Sequence, residues 1–173
     1  MYGEIYTMQV SLAAPGDSKG ILKLYMEFNE DRVSAGVGDA NYRYIDGEIP
    51  WAKTLTDSEC ETFVLKDNNT IIGFITIRTP TFNPFKKVKK LTEVDLIVIE
   101  RPLRRRGLGT MLYKTTQEHL RTKEATHVIL NVNMKNTPAL QFWQKMGFKE
   151  LSESEYVRQD GLEEKIIYMI KKL

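Results

Sequence analysis

The sequence has very little of what disulfides, metal clusters and membrane spans require. Of its 173 residues, one is cysteine, Cys60, and two are histidine. A single cysteine excludes an internal disulfide and fits a reducing compartment, and two histidines beside it argue against a metal site. No run of eighteen apolar residues occurs, so we expect no contact with a membrane. Residues 1–10 lack the basic start and apolar core of a signal peptide, which predicts a cytoplasmic protein.

An excess of charge of one sign is also missing. The chain carries 25 lysines and arginines against 23 acidic residues, a formal net charge of +2. This balance argues against a general polyanion binder, so we expect no nucleic-acid partner. Hydrophobic residues make up 42% and charged residues 28%, the composition of an ordinary globular protein. The length and the lack of any shift in composition predict one domain over residues 1–173.

The hydrophobic pattern predicts a mixed α/β architecture, with one sheet of about seven strands flanked by about four helices. The helix after Asp17 or Ser18 has its apolar side at Ile21, Leu24 and Phe28, and Gly147 is expected to end the last helix in a left-handed conformation. Strands are predicted at 6–12, 62–66, 71–78, 91–99, 127–132, 148–152 and 165–170, and the other helices at 51–55, 107–123 and 137–146.

The segment between the strand at 91–99 and the helix at 107–123 is the one that indicates chemistry. It reads Arg104-Arg105-Arg106-Gly107-Leu108-Gly109, an Arg-x-x-Gly-x-Gly pattern. Glycines allow close approach of the backbone to a ligand, and a helix start offers unpaired N–H groups to an anion. The pattern therefore predicts a pyrophosphate cradle, with a solvated arginine-rich loop as the alternative. It is neither the dinucleotide fingerprint nor the nucleotide triphosphate loop.

A second motif lies downstream, where residues 136–148 read Asn-Thr-Pro-Ala-Leu-Gln-Phe-Trp-Gln-Lys-Met-Gly-Phe. The two motifs together, at this separation and on these elements, resemble the GNAT superfamily of N-acetyltransferases. The resemblance is strong over about residues 91–150, and the order of predicted elements agrees with it over nearly the whole chain.

The resemblance implies a GNAT fold that binds acetyl-CoA where two central parallel strands, here 91–99 and 127–132, splay apart. Backbone groups near Ile97, Val98 and Ile99 would pair with the pantetheine arm and the acetyl carbonyl, and an N–H near Val98 would stabilise the oxyanion. The pyrophosphate would be held by the amides of residues 104–110, which are Arg104, Arg105, Arg106, Gly107, Leu108, Gly109 and Thr110. Asn136 and Phe142 occupy the positions of the family's later cofactor contacts.

Glu93 and Asp95 are the candidates for the general base that an attacking amine requires. They lie two apart on the strand, so both are expected on one face, with Val94 and Leu96 on the other. Which of the two acts as the base is left open. The alternative to a catalytic role is a solvated face, or ion pairs between these carboxylates and lysines 86–90. Many family members have a tyrosine as general acid where this chain has Trp143, which leaves water or another tyrosine for that role.

The acceptor is expected to be a primary amine of a small molecule or a protein, with direct transfer through a ternary complex. Tyr42 and Tyr44 lie in the loop that borders the acceptor site in the family, so we expect them to contact substrate. Trp143 motivates a second hypothesis, a non-catalytic acyl-CoA-binding module. The basic loop motivates a third, a nucleic-acid-binding module. His119 is predicted to be a satisfied, partly buried side chain. Family members are often dimers, so a homodimer is also expected.

Overall fold

The computed structural model describes residues 8–36, 59–80, 83, 88, 90–157 and 161–173. Tyr42 and Tyr44, the helix predicted at 51–55 and most of the lysine run at 86–90 lie outside these residues. The strands are β1 (Met8–Leu12), β2 (Cys60–Asp67), β3 (Thr70–Arg78), β4 (Leu91–Ile99), β5 (His127–Asn133), β6 (Lys149–Val157) and β7 (Glu163–Lys172). The α-helices are α1 (Ser18–Ser34), α2 (Leu108–Thr122) and α3 (Thr137–Lys145).

One sheet of seven strands organises the molecule, in the order β1-β2-β3-β4-β5-β7-β6. All neighbours pair antiparallel except β4 and β5, which are parallel. Apolar side chains on one face form a core with α2 and α3, represented by Leu112, Tyr113 and Trp143. The opposite face packs on α1 through Ile21 and Leu24, which are fully buried. The predicted mixed sheet with helices on both faces is confirmed.

Two predictions about the elements need correction. The described part of the chain contains three α-helices rather than about four. Strand β6 continues to Val157, five residues beyond the predicted end, and its second half is polar and exposed. Because β6 is an edge strand held by backbone bonds to β7, it needs no apolar run, and periodicity could not find its end. Gly147 has the predicted positive φ, at 90°.

The parallel pair β4–β5 separates part-way along its length. The paired residues are confined to 91–93 of β4 and 127–129 of β5, and a gap opens between the strands beyond them. At the same level β4 contains a β-bulge, because Leu96 pairs with Thr76 and Val94 with Ile77, which leaves Asp95 as the extra residue. The splayed central pair is therefore present, as expected.

The bulge overturns the prediction that Val94 and Leu96 share a face. Val94 packs in the core with α2 and α3, whereas Leu96 packs against the cluster that includes α1. The extra residue shifts the alternation by one position, so Leu96 lies on the face opposite to the one predicted.

Candidate functional site

Two adjoining cavities lie along β4 where it separates from β5. The first, about 470 Å³, lies between the end of β4, the start of α2 and the side of α3, and is termed the loop cavity. The second, about 290 Å³, lies between β4, β5, α1 and α3, and is termed the splay cavity. Phe28, Ile97, Ala139 and Trp143 line both, so the two form one continuous cleft.

Most of the predicted cofactor-binding residues meet in the loop cavity. Arg106 and Asn136 are the exceptions, and Asn136 lines the splay cavity instead. The loop-cavity residues among them are Ile97, Val98, Ile99, Arg104, Arg105, Gly107, Leu108, Gly109, Thr110 and Phe142. The two motifs, separated by about 25 residues in sequence, thus border one cavity.

Residues 104–110, termed the phosphate loop, enter α2 through two left-handed residues. Arg105 has φ 66°, and Gly107 has φ 83°. Gly107 is the N-cap of α2 and, as a glycine, has no side chain that could cap the helix. The first intrahelical bond runs from the Met111 amide to the Gly107 carbonyl, so the preceding amides of the helix have no bond within it. Leu108, Gly109 and Thr110, which carry these N–H groups, line the loop cavity at the positive end of the helix dipole, an arrangement that suits a pyrophosphate.

The arginines of the loop divide into two groups. Arg104 is bound to α1: its Nη1 donates to Asp31 at 2.5 Å and its Nη2 to Glu27 at 3.2 Å. Its Nε donates to the carbonyl of Ile99 at 2.8 Å. Arg105 and Arg106 are exposed. The Arg104 guanidinium thus holds the loop to α1 and β4, whereas Arg105 lines the loop cavity and Arg106 does not.

One face of α3 completes the loop cavity, and sequence reasoning identified only Phe142 on it. Pro138, Gln141 and Lys145 also line the cavity. Their spacing of three to four residues places them with Phe142 on the same side of the helix, so the 3.6-residue period was the signal that could have found them. Asn136 is the N-cap of α3, and its Oδ1 accepts the Ala139 amide at 3.2 Å.

Trp143 belongs to an aromatic cluster. It is 5% exposed, and its ring lies 5.3 Å from Tyr113, 5.1 Å from Phe148 and 4.8 Å from Phe142. Since it also borders both cavities, packing beside the cleft accounts for an indole at this position. Burial raises the pKa of the Tyr113 phenol well above its ordinary value, which makes Tyr113 unsuitable as a general acid.

Glu93 and Asp95 both form ion pairs with Arg78 of β3. The Arg78 Nε lies 3.2 Å from Glu93 Oε2, and an Nη lies 3.3 Å from Asp95 Oδ1. Burial lowers the pKa of Arg78, but the attraction of the two carboxylates outweighs it and raises that pKa. The Asp95 side chain is 42% exposed and lines the splay cavity, whereas the Glu93 side chain is 10% exposed and lines neither cavity.

Several polar residues of the splay cavity were missed by sequence reasoning. Asn131 and Asn133 project from β5, and Tyr25 and Tyr156 contribute hydroxyl groups from α1 and β6. Behind them the buried Glu164 accepts the Asn133 amide at 2.6 Å and the Tyr156 hydroxyl at 2.5 Å. Two asparagines inside an otherwise apolar strand were the available signal. Tyr156 had none, because its strand was predicted to end before it.

The remaining single residues have structural surroundings. His119 Nε2 lies 3.3 Å from both carboxylate oxygens of Glu61, and its ring meets Phe63 edge-on at 4.9 Å. This confirms a satisfied, partly buried histidine. Cys60 begins β2 and lines neither cavity. In the described ranges no helix is long and apolar enough to cross a bilayer, and no cluster of three or more acidic, histidine or cysteine residues is placed to hold a metal.

Comparison with known proteins connects this cleft to one family. Residues 20–148 match the family model described as "Acetyltransferase (GNAT) family". Over 113 residues the chain is 31% identical to an N-alpha-acetyltransferase of Sulfurisphaera tokodaii, covering 62% of this chain and 67% of that protein. Over 90 residues it is 30% identical to a mycothiol acetyltransferase of Corynebacterium glutamicum, covering 52% of this chain and 28% of that protein.

Solved structures share the fold along almost the whole chain. The ribosomal-protein-S18-alanine N-acetyltransferase of Escherichia coli superposes with a TM-score of 0.68 at 18% identity, over 96% of this chain and 94% of that one. The PaiA N-acetyltransferase of Thermoplasma acidophilum, solved in complex with coenzyme A, gives a TM-score of 0.72 at 16% identity, over 96% and 99%.

Proposed function

Because this chain belongs to the GNAT family of acetyltransferases, we propose that it transfers an acetyl group directly from acetyl-CoA to a primary amine of a small molecule or a protein. The observation that carries the proposal is the continuous cleft at the splay of β4 and β5. One end has helix N–H groups and the exposed Arg105, which suit a pyrophosphate, and the other has polar groups that suit an amine. The thioester would lie between them, near Ile97 and Trp143.

The fit of acetyl-CoA rests on the chain's own groups. The loop cavity combines the first-turn amides of α2 with cations at Arg105 and Lys145, and an apolar wall at Phe142 and Leu103. Beyond residue 93, the edge of β4 that faces β5 has no ladder partner among the described strands, so its backbone groups are available to an amide-bearing arm. When bound, acetyl-CoA supplies the acetyl thioester that the amine attacks.

Of the two acidic candidates, Asp95 is the better placed to accept the proton of the amine. It lies at the bulge and lines the splay cavity, whereas Glu93 is buried outside it. In the proposed reaction a bond forms between the amine nitrogen and the acetyl carbon, the C–S bond breaks, and sulfur leaves with its electron pair. The proton of the amine passes to Asp95 directly or through water.

The leaving sulfur takes its proton from water or from a tyrosine other than the buried Tyr113. Tyr25 and Tyr156 are the described tyrosines that line the splay cavity. Replacing Tyr25 or Tyr156 by phenylalanine identifies the donor if one of the two variants lowers kcat without changing the Kd for CoA. The proposal contains no acyl-enzyme step, because the lone cysteine, Cys60, lies outside the cleft.

The test is release of CoA thiol from acetyl-CoA in the presence of a panel of amines that includes peptide α-amines, lysine side chains, polyamines and amino sugars. We expect turnover with at least one class and none without an amine. Asp95→Asn should lower kcat by about a hundredfold or more and leave CoA binding unchanged. Asp17→Asn is the matched control, because Asp17 pairs with Lys66 outside the cleft.

Two results would contradict the proposal. Binding of acetyl-CoA with no acetylation of any amine in the panel would favour the non-catalytic acyl-CoA-binding module. An Asp95→Asn variant as active as the parent would remove Asp95 as the base, and a larger loss of kcat in Glu93→Gln would transfer the role to Glu93.

A further inference from the structure

Two acidic residues in the second half of α1, Glu27 and Asp31, bind the phosphate loop. Neither of them lines the loop cavity. Glu27 and Asp31 lie four residues apart on α1, so they share one side of the helix. Glu27 Oε1 accepts the backbone N–H of Arg101 at 2.7 Å, and Asp31 Oδ1 accepts an Nη of the same residue at 2.6 Å. Both carboxylates also accept from Arg104.

These contacts give each nitrogen of the Arg104 guanidinium a partner inside the protein. All three of its nitrogens donate, two to the α1 carboxylates and Nε to the carbonyl of Ile99 at the end of β4. Arg104 therefore joins α1, β4 and the phosphate loop at a single point. Burial raises the pKa of Asp31, but the hydrogen bonds from Arg104 and Arg101 outweigh it and hold that pKa below its ordinary value.

We propose that Glu27 and Asp31 are positioning residues for the phosphate loop: by holding Arg101 and Arg104 they fix the conformation in which the loop amides and Arg105 bind the CoA pyrophosphate. The inference rests on the proposed function, since it presupposes that the loop binds CoA. The left-handed Arg105 follows Arg104 directly, so the orientation of the Arg105 backbone depends on the anchored residue before it.

The same arrangement connects the two ends of the cleft. Phe28 follows Glu27 on α1 and lines both cavities, and Tyr25 and Arg32 of the same helix line the splay cavity. A helix that bears the acceptor-side wall is thus tied by its carboxylates to the loop that serves the cofactor. A shift of α1 would reach the loop through Arg101 and Arg104.

The sign of the effect separates positioning from simple electrostatics. CoA is a polyanion, so removing two nearby negative charges would by charge alone tighten its binding. Positioning predicts the opposite, because a loop without its anchors must be ordered when CoA binds. We expect Asp31→Asn and Glu27→Gln each to raise the Kd for free CoA, and the double variant to raise it by about tenfold.

The experiment is isothermal titration of CoA into the purified full chain and its variants at fixed ionic strength, with denaturant unfolding of each to confirm folding. Asp17→Asn, at the other end of α1, is the matched control and should keep the parent's Kd. The single variants each leave one carboxylate on the arginines, so they provide folded protein if the double variant does not. Arg104→Lys should raise the Kd although it keeps the charge, because an ammonium lacks the planar fork of nitrogens that reaches both α1 carboxylates and the Ile99 carbonyl.

A double-mutant cycle makes the inference specific. If Asp31 acts through Arg104, the effects of Arg104→Lys and Asp31→Asn on the Kd should fall short of additive. Variants that bind CoA as tightly as the parent, or more tightly, overturn the inference and leave the proposed function intact. Failure of the parent itself to bind CoA would instead overturn the proposed function.

Discussion

The Tyr113 hydroxyl is the clearest local departure from good packing. Tyr113 is fully buried in α2 between Trp143 and Phe148, and its hydroxyl has no hydrogen-bond partner among the described residues. A buried, unpaired hydroxyl costs about 1–3 kcal/mol of free energy. We predict that Tyr113→Phe raises the free energy of unfolding by about 1 kcal/mol, or roughly 2–4 °C in Tm. Denaturant and thermal unfolding measure it, and a less stable variant would show that the hydroxyl has a partner in solution.

Two glycines of the phosphate loop should respond differently to alanine. Gly107 has φ 83° with no atom within 4 Å of an added Cβ, so the cost is the backbone strain alone, about 1 kcal/mol. A Cβ at Gly109 would contact Phe142 at an ordinary 3.5 Å, so the fold should tolerate it. We predict that Gly107→Ala lowers the free energy of unfolding and Gly109→Ala does not. Equal losses in the two variants would refute this distinction.

At the residue scale, the sequence indicated residues that meet at one cavity but could not identify the partners of their side chains. The glycine and arginine positions follow from a local pattern, and nearly all of them line the loop cavity. A local pattern could not predict hydrogen-bond or ion-pair partners that are distant in sequence. Arg104 meets Asp31 because of the way α1 packs. Arg78 meets Glu93 and Asp95 because of the β3–β4 register.

Helices α1 and α2 are each joined to a neighbouring element by a carboxylate with a lowered pKa. Burial raises the pKa of Glu61 on β2, but the hydrogen bonds from Lys123 and His119 outweigh it, and the pKa falls below its ordinary 4.5. On α1, the hydrogen bonds from Arg104 and Arg101 likewise outweigh burial and lower the pKa of Asp31 below its ordinary 3.8. A carboxylate with a lower pKa in the folded state contributes stability above its unfolded pKa and loses it as the pH falls through the folded value.

We therefore predict that the free energy of unfolding is nearly constant from about pH 7 to about pH 5 with respect to these two groups, and decreases below about pH 4.5. Urea unfolding across this range measures it. Glu61→Gln should be less stable than the parent at neutral pH, and the difference should narrow in acid. A difference that is independent of pH would mean that the Glu61 charge contributes nothing.

The elements themselves were largely predictable, with two exceptions that have physical causes. Strong apolar periodicity located β4 and α2 to within a residue, because both are buried on a core face. The bulge at Asp95 was invisible, because it is a property of how β4 pairs with β3 rather than of either strand alone. The predicted end of the edge strand β6 came too early, because backbone pairing with β7 rather than apolar burial maintains this strand.

For the whole molecule, the order of elements together with two motifs was sufficient to predict the family. One such motif alone is common, but here each of the two follows a strand of the parallel pair, so both lie at the end where that pair separates. The splay cavity, the proposed acceptor side, was not predictable in this way. Its described walls come from α1, β4, β5, α3 and β6, and no short segment contains them.

Thermal unfolding with acetyl-CoA, free CoA and ATP, each at saturating concentration, tests the central claim that the cleft between β4 and β5 binds CoA. A ligand at about 100 times its Kd stabilises the folded state by about 2.7 kcal/mol, which raises Tm by roughly 5–10 °C for a chain of this length. We predict that shift with acetyl-CoA and with CoA, and little with ATP. No shift with either CoA species would contradict the account and leave the phosphate loop as a surface turn.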